Sequence, residues 1–88
     1  MIRRRVVVHG YVQGVFFRDS MRRLAQQQGV SGWVANRWDG TVEAAFEGEP
    51  DAVERLVSFC RTGPRGARVD SVDVYEEEPE GVSGFAVS

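Results

Sequence analysis

RRRVVVHGYVQGVFFRDSMRRLAQQQGVSGWVAN, residues 3–36, changes its hydrophobic period twice, and those changes decide the fold. Residues 3–9 run from three arginines into three valines and read as a strand. Residues 10–15, opened by Gly10 and interrupted by Gly14, read as a loop. From Phe17 to Gln28 the apolar residues Phe17, Met21, Leu24 and Ala25 follow the helical period, and Gly29 stands where a C-cap belongs. Residues 30–36 read as a second strand. A helix crossing over between two strands makes those strands parallel. Their C-terminal ends, near Gly10 and Asn36, therefore come together on one edge of the sheet.

Outward from this unit the pattern continues. Residues 37–40 contain an Asp-Gly turn signal. Residues 41–47 alternate, with Val42, Ala44 and Phe46 on one face and Thr41, Glu43 and Glu47 on a solvated one. Pro50 suits the first position of a helix. Val53, Leu56, Val57 and Cys60 then form its apolar stripe, and Gly63-Pro64 ends it. Residues 69–76 read as a fourth strand, 76–81 as an acidic turn or loop, and 85–88 as a short extra C-terminal strand. The order β-α-β-β-α-β predicts an α+β, ferredoxin-like sandwich, with two helices on one face of a mostly antiparallel sheet.

The chain has 88 residues and is expected to form a single domain, residues 1–88. Folding of a chain this size buries about 60–65% of its unfolded surface, enough for one modest core. A formal net charge of -2 gives no global attraction to nucleic acid or to an anionic membrane, so any anion site has to be local. Cys60 is the only cysteine and cannot close an intrachain disulfide or build a thiolate metal site. The basic start followed by valines ends at His9 and Gly10, short of a signal-peptide core. No stretch approaches the ~20 apolar residues of a membrane-spanning helix. These features lead us to expect a cytoplasmic monomer.

The loop carries the chemistry. Glycines at 10 and 14 allow several backbone N–H groups to point into one concavity, and such concavities bind anions. The loop runs into a helix N-terminus, whose free N–H groups and dipole also favour negative charge. Arg18 falls in the first helical turn, where a cation is misplaced by ~0.3–1 kcal/mol. The placement makes sense if the guanidinium folds over an anion, which its fork grips in bidentate fashion. No Gly-Lys-Ser/Thr follows, so this is not a nucleotide-binding P-loop, and the third glycine of a dinucleotide fingerprint is missing.

Gly10 to Arg18 matches every fixed position of Gly-x-Val-Gln-Gly-Val-x-Phe-Arg, and Gly32, Trp33, Val34, Asn36, Gly40, Val42 and Gly48 match a second pattern. Together the two stretches resemble the acylphosphatase family over nearly the whole chain. The resemblance implies metal-independent hydrolysis of a small-molecule acyl phosphate to a carboxylate and inorganic phosphate, with no cofactor. It implies a phosphate cradle at Gly10, Tyr11, Val12, Gln13, Gly14 and Val15, a catalytic arginine at Arg18 and a water-orienting asparagine at Asn36. Tyr11 departs from the basic residue often found at its position in relatives, which bears on substrate preference. The chemistry agrees with this reading. A carboxylate with a conjugate acid of pKa about 4 leaves as the anion without a general acid. Phosphoryl transfer is loose, so a weakly nucleophilic water suffices once it is placed in line.

Other residues receive structural readings. His9 is expected to be a satisfied strand-end histidine that helps shape the loop, rather than a base. Cys60 is expected to be a small buried hydrophobe. Phe16 and Phe17 are expected to anchor the helix start to the sheet, Trp33 to be core or site wall, and Trp38 to be exposed at the hairpin. Glu76 to Glu78 and Glu80 are read as a solvated loop, and Arg3 to Arg5 as solubilising residues at a strand edge. The competing functional reading is a non-catalytic, anion-binding regulatory module on the same fold. An RNA-binding sheet would present aromatics where the third strand has Thr and Glu.

Overall fold

The computed structural model describes residues 1–88. Its elements are β1 (Ile2–Tyr11), α1 (Phe17–Gln28), β2 (Ser31–Asn36), β3 (Val42–Gly48), α2 (Pro50–Thr62), β4 (Arg68–Glu77) and β5 (Phe85–Val87). One five-stranded sheet has the order β4-β1-β3-β2-β5. Antiparallel pairing joins β1 to β3 and β4, and β2 to β3, while β5 runs parallel to β2. The expected ferredoxin-like order is present, with the extra C-terminal strand added at the β2 edge.

Register explains the core. Val6 and Val8 of β1 lie opposite Ala44 and Val42 of β3, and Val34 of β2 lies opposite Ala44. This face meets Phe17, Met21 and Ala25 of α1 and Val53, Leu56, Val57 and Cys60 of α2, all buried. Helix α1 starts and ends where its spacing predicted. Gly29 adopts φ 68° and closes the helix, with the Val30 N–H donating to the Ala25 carbonyl at 2.9 Å. Phe17 packs edge-to-face on Phe59 of α2, with ring centres 5.7 Å apart.

The other face of the sheet departs from expectation. β1 is a central strand, so Arg3 is not an edge residue. It is 3% exposed, and Glu47 on β3 is equally buried. Arg3 lies opposite Glu47 on one side and Glu77 of β4 on the other. It donates to both carboxylates, at 3.2 and 3.1 Å. Arg5 likewise bridges Glu77 and Glu43, at 2.9 and 3.0 Å. Charge alternates across the strands, so like charges are never directly opposed. Glu76 and Glu77 therefore belong to β4 and not to a loop. The following segment covers the network, with the N–H groups of Glu80 and Gly81 each donating to Glu47 at 2.8 Å. Thr41 and Glu47, expected on a solvated face, are buried.

Candidate active site

Two facts of register bring the two sequence motifs together. Val8 of β1 and Asn36 of β2 both pair with Val42 of β3. The ends of β1 and β2 therefore sit at the same end of the sheet, on either side of β3. In β2, Gly32, Val34 and Asn36 alternate onto the helix-facing side, because they lie opposite Phe46, Ala44 and Val42. Asn36 thus turns toward the start of α1.

A cavity of about 380 Å³ opens there, lined by Val12, Gly14, Phe16, Phe17, Arg18, Asp19, Arg22, Asn36 and Val87. Of the cradle and catalytic residues expected from sequence, Val12, Gly14, Arg18 and Asn36 meet in it. The other four serve it from outside. Gly10 lies at a register shift in the β1–β4 ladder, where a Cβ would stand 2.1 Å from the Arg68 carbonyl oxygen. Its glycine is required by backbone packing. Tyr11 ends β1, half exposed. Val15 packs against the core. Gln13 donates its side-chain amide to the carbonyls of Arg37 and Thr41, at 2.7 and 2.9 Å. That staples the loop to the β2–β3 hairpin.

Gly14 has φ 73° with open space where a Cβ would be, so it needs glycine for its backbone conformation alone. Phe16 precedes helix α1 as its N-cap, at φ 61°, and no side chain caps the helix N-terminus. The first-turn N–H groups are free to meet an anion in the cavity they border. The Arg18 guanidinium donates to the Ser88 carbonyl. The neighbouring acid, Asp19, is committed elsewhere, with its two oxygens on Arg22 and Arg23 at 2.7 and 2.9 Å. The hydrogen bond from Arg22 holds the Asp19 carboxyl below its ordinary pKa, with both arginine charges adding to the effect and partial burial opposing it.

Asn36 carries the one buried side-chain polar atom with no partner, its Oδ1. An unpaired buried acceptor costs ~1–3 kcal/mol and calls for a ligand or a functional reason. The hairpin beyond it is closed by hydrogen bonds. The Arg37 N–H donates to Thr41, and Asp39 accepts from the Thr41 N–H and hydroxyl at 3.1 and 2.7 Å. The hydroxyl bond first, then the N–H, pulls the Asp39 pKa down. The Arg37 guanidinium sits 5.4 Å from the Trp33 ring centre and pairs with Glu43 at 2.6 Å.

His9 stands outside the cavity. It shares a face of β1 with Arg3 and Arg5, away from the helices, and bonds Asp73 at 2.9 Å. Phe16 corrects the expectation of a helix anchor, because it is 81% exposed, and Phe17 alone is buried. Trp38 is fully exposed and Cys60 fully buried, as their spacing indicated. Asp19, Arg22, Phe16 and Val87 were not singled out as site residues. Arg22 follows Arg18 by one helical turn, a signal legible in the sequence. Val87 reaches the cavity only because β5 pairs with β2.

The fold is a small α+β sandwich with a cavity bordered by a glycine loop, a helix N-terminus, one arginine and one carboxamide. The acylphosphatase family model matches residues 4–87, and the chain belongs to that family. It is 60% identical over 85 residues to an acylphosphatase of Rubrobacter xylanophilus, covering 94% of this chain and 76% of the relative. It is 54% identical over 86 residues to that of Gloeobacter violaceus, covering 98% and 92%. The crystal structure of acylphosphatase from Bacillus subtilis superposes with a TM-score of 0.95 at 35% identity, covering 100% of this chain and 99% of the other. Neither helix is long and apolar enough to cross a membrane.

Proposed function

We propose that the chain is an acylphosphatase in which Arg18 and the loop around Gly14 bind the phosphoryl group and Asn36 orients the attacking water. The substrate is a small-molecule acyl phosphate. The water oxygen forms a bond to phosphorus as the bond from phosphorus to the acyl oxygen breaks. The carboxylate departs as an anion, and the water's proton passes to a phosphoryl oxygen. No side chain has to take or give a proton. Arg18 and the α1 N–H groups counter the charge on the non-bridging oxygens, and they are fixed before reaction begins.

One observation carries this reading: Asn36 and Arg18, brought from separate elements, line a single cavity. A phosphate sensor would need the arginine but not the amide. We further infer that the chain acts as a single domain, as a monomer in the cytoplasm, without nucleic acid, membrane or metal partners. The test is hydrolysis of benzoyl phosphate by purified protein in excess EDTA, beside Asn36→Ala. Turnover by the wild type that is lost in the variant supports the assignment. Arg18-dependent phosphate binding without turnover would instead make the protein an anion-binding module.

A further inference from the structure

We propose that Phe16 and Val87 form an acyl-group subsite that selects uncharged, apolar acyl phosphates, aromatic ones foremost. This rests on the acylphosphatase reading of the same cavity. The cavity wall has a polar part, Gly14, Arg18 and Asn36, and an apolar part. Within the apolar part Val12 and Phe17 are buried in the core, whereas Phe16 is 81% and Val87 43% exposed. Solvent-facing apolar surface inside a binding cavity is available for a ligand to cover.

The backbone of Phe16 supports the same assignment. At φ 61° and ψ 23° it is the only residue besides glycines with positive φ. A bulky side chain is costly there, where Gly or Asn would be at ease. Strain of this kind, with no packing to explain it, marks a functional position. The left-handed turn holds the ring at the cavity mouth instead of letting it collapse onto the sheet beside Phe17. An acyl carbon is linked to phosphorus through a single oxygen. With the phosphoryl group at Gly14 and Arg18, the acyl group has to lie against these walls.

Charge argues against an anionic acyl group. The second arginine of the cavity, Arg22, is paired with Asp19 at 2.7 Å, and Asp19 is itself a lining residue. A second carboxylate on the substrate would meet that acid and would have to displace it from Arg22.

The experiment compares kcat/KM for benzoyl, acetyl and succinyl phosphates in wild type, Phe16→Asn and Phe16→Tyr. Asn suits the left-handed backbone and removes the ring, while Tyr keeps it. We expect benzoyl to be preferred over acetyl phosphate, and Phe16→Asn to reduce that preference about tenfold, through KM more than kcat. Phe16→Tyr retains it, and Val87→Ser weakens it. An unchanged preference in Phe16→Asn, or a wild type that favours succinyl phosphate, overturns the subsite. If the wild type turns over none of them, the functional reading fails, and titration with benzoylphosphonate against acetylphosphonate still decides the subsite by the same preference.

Discussion

The side-chain amide of Gln13 donates to the Arg37 carbonyl at 2.7 Å, tying the glycine loop before α1 to the residue that follows Asn36. A second bond from the same nitrogen reaches Thr41. The two halves of the site, distant in sequence, are thereby joined through one side chain. Gln13→Leu removes both bonds, each worth roughly 0.5–1.5 kcal/mol. The larger effect is expected on rate, because misplacing reacting groups by ~1 Å costs up to ~10²-fold. Steady-state kinetics should show kcat falling well beyond the small drop in melting temperature. A purely stability-linked loss would argue against a positioning role.

Arg18→Lys and Asn36→Ala should each lose at least ~10²–10³ in kcat, the usual loss when a preorganised donor is removed. Lysine keeps the charge but not the fork. Circular dichroism spectra unchanged from wild type would show that the loss is chemical. Near-normal turnover in both folded variants would exclude the assignment of these residues.

His9 faces away from the cavity and is held by Asp73. His9→Gln should keep kcat within about threefold of wild type, with a pH–rate profile that matches the wild type. A limb of the profile that disappears in His9→Gln would make it a participant.

The buried network on the outer sheet face makes stability depend on acid. The Glu80 N–H foremost, then the Gly81 N–H and Arg3, hold Glu47 below its ordinary value of 4.5, against the opposing effect of burial. Glu77 is held down by Arg5 and Arg3. A depressed native pKa means that the unfolded chain takes up protons first. The stabilisation is complete above pH 4.5 and is lost as the pH falls through the lower native value. Melting temperature should be flat between pH 6 and 8 and drop steeply below about 4. Arg3→Met, which strands Glu47, should lower the melting temperature at pH 7 by at least ~4–8 °C.

Burial pushes the Cys60 thiol up to about 12. The thiolate is the reactive form, so a disulfide reagent at pH 8 should label native protein far more slowly than protein in denaturant. Equal rates would mean that α2 does not hold Cys60 in the core.

Local spacing was enough for much of this molecule. The Phe17–Gln28 helix, its Gly29 cap, the Pro50 start of α2 and the inward valines of β1 follow from period and turn chemistry, which act between near neighbours. The parallel direction of β1 and β2 also followed, because a crossover helix leaves no other choice. The family motifs marked Arg18 and Asn36.

What depends on partners distant in sequence was settled only by the tertiary structure. Arg3 looked like an edge residue until β1 proved central, with a carboxylate opposite it on each side. Gly10 suggested a cradle and proved to be a close approach to β4. Gln13 looked like a phosphate contact, yet its amide reaches the hairpin. Phe16 and Phe17 are identical neighbours, and the left-handed turn alone sends one out and the other in. Hydrophobic period reports which face of an element is apolar. It does not report what that face meets, because pairing and register are decided by the whole sheet at once.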